Sequence, residues 1–266
     1  MMAAMTLLDR FRVDGKVAIV TGASRGIGAA SAAALAEVGA DVVIAARSKD
    51  TLAEVTAQIE SFGRKAVAVA VDLNDLSAMQ TLVDAATSEL GGLDIVVNNV
   101  GGTMPQPFLD TSVKAFEGAF HFNVTTAYQL TQLATPVLLE RGGGSIINIA
   151  STLGWLVDRG YAAYGTAKGA LAHLTRLLAA DLAPKIRVNA IAPGAIVTDA
   201  LGTVLNDDLE RLMVEGTPMR RLGQVEDIAL GVVYLASSAS DYMTGRMLQI
   251  DGGINFPNLS LGIPDL

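Results

Sequence analysis

Short, uninterrupted runs of apolar residues alternate along this chain with longer segments of amphipathic or alanine-rich pattern. Continuous apolar runs are typical of strands that are covered on both faces, as in a parallel sheet. Their alternation with helical segments predicts an α/β fold, a doubly wound parallel sheet of seven strands with helices on both faces. The predicted strands are 17–21, 42–46, 66–71, 94–98, 145–150, 187–192 and 247–251. The predicted helices are 26–38, 50–62, 75–90, 112–140, 161–183 and 225–237.

No proline-, serine- or charge-rich linker interrupts this alternation, so we expect a single domain over residues 1–266. Segment 194–224 contains several glycines and a proline and is longer than an ordinary connection, which is typical of a lid or substrate-binding loop. The tail after Gly253 is apolar and broken by prolines. Two interpretations stay open for the tail: it lies on a neighbouring subunit, or it is a frayed end.

Segment 118–139 has no formal charge over a length that could span a membrane. It contains His121, Asn123 and Pro136 together with several threonines and glutamines, which lipid disfavours. We therefore expect a helix that is buried in the protein or between subunits, and no membrane partner. The N-terminal residues lack the pattern of a secretory signal, and we expect a cytoplasmic protein.

Composition excludes several kinds of chemistry. The 266 residues include no cysteine and only two histidines, His121 and His173, which rules out thiolate nucleophiles and three-histidine metal sites. We expect no metal. The formal net charge is −8 and the basic residues are scattered, which argues against nucleic acids and anionic membranes as partners.

A glycine-rich turn follows the first predicted strand and leads into a helix. Backbone N–H groups and the helix dipole at such a position bind phosphate, although a tight turn without a ligand is the simpler alternative. The spacing is GxxxGxG, and its position in a strand–helix–strand unit favours a nucleotide. The proposed phosphate-binding residues are Gly22, Ser24, Arg25, Gly26, Ile27 and Gly28.

The end of the second strand indicates which nucleotide binds. An acidic residue there would hold the adenosine ribose and repel a 2′-phosphate, but this strand ends in Ala46 followed by Arg47 and Ser48. Arg47 and Arg25 suit a 2′-phosphate, because guanidinium groups pair with phosphate in a bidentate way. We therefore favour NADP(H) over NAD(H). The alternative is that both arginines are ordinary exposed charges.

Two further strand ends supply candidate cofactor contacts. Asp72 and Leu73 follow the third strand, where the carboxylate could accept from an adenine amino group. Alternatively, Asp72 caps the helix that begins near Asp75. Asn99 and Gly101 follow the fourth strand and lie at the carboxyl edge of the sheet, where open α/β folds bind ligands.

Tyr164 and Lys168 are four residues apart on a predicted helix and share one face. A free tyrosine has a pKa of about 10, and a neighbouring ammonium lowers it by favouring the phenolate. Lys168 could also hold the nicotinamide ribose hydroxyls. Ser151 ends the fifth strand and could hydrogen-bond a substrate carbonyl. A lone tyrosine–lysine pair is weak evidence, but together with Ser151 and the glycine turn it indicates proton transfer to or from an oxygen.

From about Asp14 to Gly253 the sequence resembles the short-chain dehydrogenases/reductases of the single-domain, Rossmann-fold type. The resemblance rests on TGASRGIG at 21–28, NNVG at 98–101, FHFNV at 120–124, NIAST at 148–152, YGTAK at 164–168 and RVNAIAPG at 187–194. It implies a catalytic tetrad of Asn123, Ser151, Tyr164 and Lys168, with Tyr164 as acid/base. It also implies cofactor contacts from Pro193, Gly194, Ile196 and Thr198, and a homotetramer.

Within this family the motifs are most similar to bacterial 7α-hydroxysteroid dehydrogenases and, less specifically, to 3-oxoacyl-[acyl-carrier-protein] reductases. Two departures from the family are Val100 for its alanine and Ala150 where it often has serine, a position that is not the catalytic one. Ala46 departs from the NAD-linked steroid enzyme, which has an acidic residue there. We predict an NADP(H)-dependent ketone/secondary-alcohol oxidoreductase acting on a bulky apolar substrate. The alternatives are a 3-oxoacyl-[acyl-carrier-protein] reductase and a non-catalytic nucleotide-binding regulator. The predicted substrate wall comprises Ser151, Tyr164, Trp155, Leu156, Met104 and Pro105.

Overall fold

In the computed structural model, which describes residues 6–202, 205–258 and 263, seven parallel strands form one sheet. The strand order is β3-β2-β1-β4-β5-β6-β7, and every neighbouring pair is parallel. The predicted fold class is confirmed. The strands are β1 Val17–Thr21, β2 Asp41–Ala46, β3 Ala66–Ala70, β4 Ile95–Asn98, β5 Gly144–Ile149, β6 Ile186–Pro193 and β7 Met247–Ile250.

Helices cover both faces of the sheet. Alternate residues of β1 enter opposite apolar clusters: Ala18 and Val20 belong to one, and Val17 and Ile19 belong to the other. This division explains the continuous apolar runs, because a strand covered on both faces has no exposed side. The helices are α1 Gly26–Glu37, α2 Lys49–Ser61, α3 Gln80–Leu90, α4 Val113–Phe120, α5 Thr126–Glu140, α6 Ala162–Leu182, α7 Asp199–Gly202, α8 Asp207–Gly216 and α9 Val225–Ala236.

The strand order reverses direction beside β1. The chain runs outward from β1 through β2 to β3, then returns to place β4 on the other side of β1. Ligands of open α/β sheets bind outside the carboxyl ends of the strands at such a switch point. The glycine-rich turn after β1 and the NNVG segment after β4 therefore lie side by side at this position.

The predicted helix 112–140 is two helices joined by a π-helical turn over His121–Thr125. Asn123 in this turn is fully buried, whereas Phe116, Phe120 and Tyr128 are between 39% and 44% exposed. The segment that was expected to be buried is therefore only partly buried, and these aromatic side chains leave apolar surface exposed. Among the described residues, no helix has the length and hydropathy of a membrane span.

Segment 194–224 is more regular than predicted, because it includes α7 and α8. The Asn206 side chain accepts a hydrogen bond from the Leu209 backbone N–H at 2.9 Å, which caps α8. Acidic residues in the first turn favour the helix further. Residues 203–204, which fall inside the predicted loop, are outside the described residues.

Candidate active site

A cleft of about 910 Å³ opens at the carboxyl edge of the sheet, above the switch point between β1 and β4. It is long, reaching from the ends of β2 and β3 to the loop after β6 and the C-terminal tail. Most of the site residues predicted from sequence lie on its wall. Those on the wall are Gly22, Ser24, Arg25, Gly26, Ile27, Arg47, Ser48, Asp72, Leu73, Asn99, Gly101, Met104, Pro105, Ser151, Leu156, Tyr164, Lys168, Pro193, Gly194, Ile196 and Thr198.

The glycine turn has the geometry of a phosphate cradle. Gly22 and Gly26 have φ angles of +64° and +56°, which L side chains rarely adopt. Gly28 lies beneath the cleft wall, and a Cβ there would collide with the Gly22 carbonyl oxygen. The Asn99 side chain donates to the Thr21 carbonyl oxygen at 2.9 Å and fixes the turn against β4. Because α1 begins at Gly26, its N-terminal amides are available to a phosphate.

The end of the cleft beside β2 contains Arg47 and Ser48, with Ala46 8% exposed next to them. Arg25 lies instead 3.9 Å from the carboxylate of Asp199, in a pair whose side chains are 67% and 70% exposed. Asp72 accepts a hydrogen bond from the Asn74 backbone N–H at 3.0 Å. Asp75 caps the next turn, so the alternative of Asp72 as that cap is wrong.

Ser151, Tyr164 and Lys168 are brought together where β5 meets α6. The Lys168 Nζ donates to the Ile149 carbonyl oxygen at 2.8 Å and lies 5.7 Å from the centre of the Tyr164 ring. Lys168 is 3% exposed and Ser151 is 8% exposed. The Ser151 side chain lies near enough to the Tyr164 hydroxyl to favour its phenolate form. A reacting oxygen beside this pair would have two hydroxyl partners.

The pKa of Tyr164 corrects one expectation. Burial raises this pKa, and the hydrogen bond with Ser151 lowers it only in part. Burial also lowers the pKa of Lys168 to about 7, because the low-dielectric surroundings disfavour its charged form. Near neutral pH the amine is therefore charged only part of the time. The predicted lowering of the Tyr164 pKa by an ammonium is not found in this structure.

Asn123 lies behind the cleft wall. Its Oδ1 accepts from the Gly102 backbone N–H at 2.8 Å, and its Nδ2 donates to the Ala119 carbonyl oxygen at 2.8 Å. A Cβ on Gly101 would lie 2.6 Å from Asn123 Oδ1 and 2.8 Å from Lys168 Nζ. The absence of a side chain at Gly101 therefore lets Asn123 and Lys168 approach the same small space.

The loop after β6 forms the part of the cleft wall farther from β2. Ile196 pairs with Gly223 in an isolated parallel bridge, and the Thr198 hydroxyl accepts from the Leu201 backbone N–H at 3.3 Å. Gly194 passes so close to Asp251 that a Cβ would lie 2.7 Å from the Asp251 Cα. Backbone contacts therefore hold this loop in place.

The substrate end is mostly apolar and differs from prediction in one residue. Met104, Pro105 and Leu156 line the cleft as predicted, whereas Trp155 does not and is 38% exposed. A 3-10 turn over Thr152–Gly154 separates Trp155 from Ser151. Cleft residues that the sequence analysis did not name include Tyr161, Met213, Ile254, Pro257 and Asn258. The sequence could have indicated Tyr161 as a cleft residue, because it lies three residues before Tyr164.

The described part of the C-terminal tail packs on its own chain. Ile254 is 7% exposed, and Pro257 and Asn258 also line the cleft. These residues are therefore not a frayed end, and a contact of the tail with a neighbouring subunit stays a prediction. Residues 259–262 and 264–266 lie outside the described residues. Within the described ranges, no group of three histidine, aspartate or glutamate side chains could hold a metal ion.

Comparison with known proteins agrees with this geometry. A family model described as enoyl-(acyl carrier protein) reductase matches residues 22–255. An uncharacterised oxidoreductase of Mycobacterium tuberculosis is 56% identical over 262 residues, which cover 98% of this chain and 100% of that protein. The 7α-hydroxysteroid dehydrogenase of Escherichia coli K12 is 41% identical over 246 residues, 92% of this chain and 96% of the enzyme.

A solved structure of a 7α-hydroxysteroid dehydrogenase in complex with NADH and 7-oxo glycochenodeoxycholic acid has the same fold, with a TM-score of 0.91. The two chains are 40% identical, and the alignment covers 95% of this chain and 98% of the other. The family match, the sequence identity over nearly the whole length and the common fold lead to one conclusion. The chain belongs to the short-chain dehydrogenase/reductase family, oxidoreductases that act on CH–OH groups with NAD(P).

Proposed function

We propose that this enzyme interconverts a ketone and a secondary alcohol on a bulky, apolar, hydroxysteroid-like substrate, with NADP(H) favoured over NAD(H). The observation behind the proposal is that Ser151, Tyr164 and Lys168 meet on the wall of one cleft, with the Lys168 Nζ 5.7 Å from the centre of the Tyr164 ring. The 41% identity with a steroid dehydrogenase supports the substrate class.

The residues of the chain divide the work of the reaction. A bound nicotinamide supplies or accepts the hydride. Tyr164 donates its hydroxyl proton to the substrate oxygen as the alcohol forms, and accepts it in the reverse direction. Ser151 hydrogen-bonds the same oxygen and polarises the carbonyl. Lys168 binds ribose hydroxyls through Nζ, and Asn123 holds the backbone at Gly102 beside it.

The substrate wall favours apolar rings over sugars. Met104, Leu156, Ile254 and Pro257 line this end of the cleft and expose hydrocarbon or thioether groups to it. Such a wall stabilises a bound substrate by removing apolar surface from water, and it offers few partners for a polyol.

The preference for NADP(H) rests on the end of β2. Arg47 and Ser48 line the cleft there, and residue 46 is an alanine and not an acidic residue. Arg25 is paired with Asp199, but an exposed pair at 3.9 Å contributes little energy, so Arg25 is available to a 2′-phosphate. The related solved structure contains NADH, which is why the cofactor needs a direct test.

Two other functions are distinguished by the substrate assay described below. A 3-oxoacyl-[acyl-carrier-protein] reductase would use the same catalytic residues on a thioester-linked ketone. A nucleotide-binding regulator without turnover would be expected to lack part of the tetrad, and this chain has Asn123, Ser151, Tyr164 and Lys168. A cytoplasmic location stays a prediction from the sequence.

The decisive assay compares a 7-oxo steroid acid, a 3-oxoacyl thioester and cyclohexanone, each with NADPH and NADH. We expect the highest kcat/KM with the steroid and NADPH.

Arg47→Ala tests the cofactor preference. It should lower kcat/KM for NADPH about tenfold or more and leave kcat/KM for NADH unaffected, because it removes a charge-assisted hydrogen bond. Lys49→Ala, a nearby change of the same charge, is the matched control. If no ketone is reduced, the proposed activity is contradicted. A preference for the thioester would contradict the proposed substrate class, and a preference for NADH would contradict the proposed cofactor.

A further inference from the structure

His121 joins two elements that surround the cleft. Its Nε2 lies 2.9 Å from the carbonyl oxygen of Asn74, which is 47 residues away in the sequence. A carbonyl oxygen only accepts hydrogen bonds, so Nε2 carries a proton and is the donor. The contact therefore ties the π-helical turn at His121–Thr125 to the loop that follows β3.

The loop after β3 forms part of the cleft wall, and residues 71–74 all line the cleft. At the start of the loop, the Val71 backbone N–H donates to the Ala46 carbonyl oxygen at 2.8 Å, which ties this end to β2. Farther along, Asp72 accepts from the Asn74 backbone N–H and thereby closes the turn on itself. The histidine contact anchors the far end of the loop to a different element.

The π-helical turn is a firm base for this contact. Asn123, two residues after His121, is fully buried, and its Nδ2 donates to the Ala119 carbonyl oxygen at 2.8 Å. Phe122 lies between them and lines the cleft. His121 itself is half-buried and stands behind the wall, so it acts on a ligand only through Asn74.

The strand order indicates which part of a dinucleotide this loop meets. The phosphates of a dinucleotide lie at the glycine turn after β1, and the adenosine ribose lies at the end of the second strand. Strand β3 is the neighbour of β2 on the side away from β1. The loop after β3 is therefore beside the adenosine half, away from the catalytic residues at the start of α6.

We propose that His121 is a positioning residue for the cofactor, which holds loop 71–74 in place to receive the adenosine half of a nicotinamide dinucleotide. The inference rests on the dinucleotide of the proposed function but not on its choice between NADP(H) and NAD(H), because both contain adenosine. A loop that is already held loses less conformational freedom on binding, so the contact increases affinity without touching the ligand.

His121→Ala tests this role, and His173→Ala is the matched control, because His173 is the other histidine of the chain and is exposed on α6. AMP and adenosine 2′,5′-bisphosphate, which contain the adenosine without the nicotinamide, are titrated into each protein by calorimetry. The one that binds the unmodified protein more tightly should bind His121→Ala about three- to tenfold more weakly, as expected for one lost hydrogen bond. His173→Ala should stay within about twofold.

His121→Gln separates the hydrogen bond from the volume of the ring. Its amide nitrogen can donate to the same carbonyl, so most of the lost affinity should return. In steady-state assays, His121→Ala should raise KM for the cofactor and leave kcat within about twofold, because the reacting groups keep their contacts. Equal nucleotide affinities in His121→Ala and the unmodified protein would overturn the inference, as would an unaltered KM or a glutamine variant as weak as the alanine variant.

Nuclear magnetic resonance of the two histidine rings provides a readout in the unmodified protein, which does not depend on whether a variant folds. Saturation with the better-bound nucleotide should shift the ring signal of His121 and leave that of His173 in place, with the spectrum of His173→Ala giving the assignment. An unmoved His121 signal, or binding of neither nucleotide, would overturn the inference. Failure of the unmodified enzyme to reduce any ketone would instead contradict the proposed function alone, because both binding readouts are independent of turnover.

Discussion

Lys168 is an amine in a protein interior, next to a carbonyl oxygen and an aromatic ring. Its hydrogen bond to Ile149 fixes the position of Nζ, but a single carbonyl does not replace the water around an ammonium. Burial therefore lowers the pKa of Lys168 to about 7. The same burial raises the pKa of Tyr164, so each side chain favours its neutral form in this structure.

The lowered pKa of Lys168 predicts a pH-dependent stability. Between pH 7 and the ordinary lysine value of 10.5, the unfolded chain binds the Lys168 proton more strongly than the folded protein. The free energy of unfolding should therefore rise with pH in this window. Relative to Lys168→Met, we expect a gain of about 1 kcal/mol per pH unit in urea unfolding between pH 7.5 and 9.5.

The exposed Lys185, changed to methionine, is the control for this measurement. The free energies of unfolding of Lys185→Met and of the unmodified protein should differ by an amount that changes little with pH. A difference between the unmodified protein and Lys168→Met that stays constant over the same range would contradict the account of a desolvated amine.

Residue types and spacings were sufficient to propose the reacting groups, but they did not predict the directions of their pKa shifts. Tyr164 and Lys168 share a helix face because they are four residues apart, and that follows from the sequence alone. The directions of their pKa shifts depend on how much protein surrounds them, which only the fold determines. Trp155 was misplaced for a related reason, since distance along the chain from Ser151 does not reveal the turn between them.

Among the elements, the strands were the most predictable. Each is a continuous apolar run, and no observed boundary differs from the predicted one by more than one residue. Hydropathy was less informative about the π-helical turn at His121–Thr125, because one extra residue per turn scarcely changes an apolar pattern. That turn buries Asn123 and directs its side chain to Gly102.

Helix α8 was missed although its signals are present in the sequence. Asn206 precedes acidic residues and apolar residues at helical spacing, which is a recognisable start of a helix. The many glycines of segment 194–224 favoured a loop instead. The tail could not be placed at all, because its contacts with Met213 and Thr217 join parts of the chain that are more than 40 residues apart.

At the scale of the whole molecule, exposed aromatic residues on α4 indicate a contact surface. Phe116 and Phe120 are each 39% exposed and are four residues apart, so they share a face. Such a patch on a helix suits an interface between copies of this chain. We propose that the enzyme is a homotetramer that uses this face in one of its contacts.

Sedimentation tests the assembly directly. We expect four times the 27.5 kDa chain mass for the unmodified enzyme. Phe120→Asp should give a smaller species, because a charge in a buried apolar interface is strongly destabilising. Phe62→Asp, a change at an aromatic residue of similar exposure at the end of α2, should leave the mass unchanged. A monomeric unmodified enzyme would contradict the proposed assembly.

The central claim is that the Tyr164 hydroxyl transfers the proton, and Tyr164→Phe tests it most directly because only one oxygen is removed. We expect kcat for ketone reduction to fall by about 10²–10⁴-fold, while calorimetry shows NADPH affinity within about twofold of the unmodified enzyme. Tyr161→Phe, a buried cleft residue three positions earlier, should lose less than about tenfold. Retention of full turnover by Tyr164→Phe, with NADPH bound normally, would contradict the account.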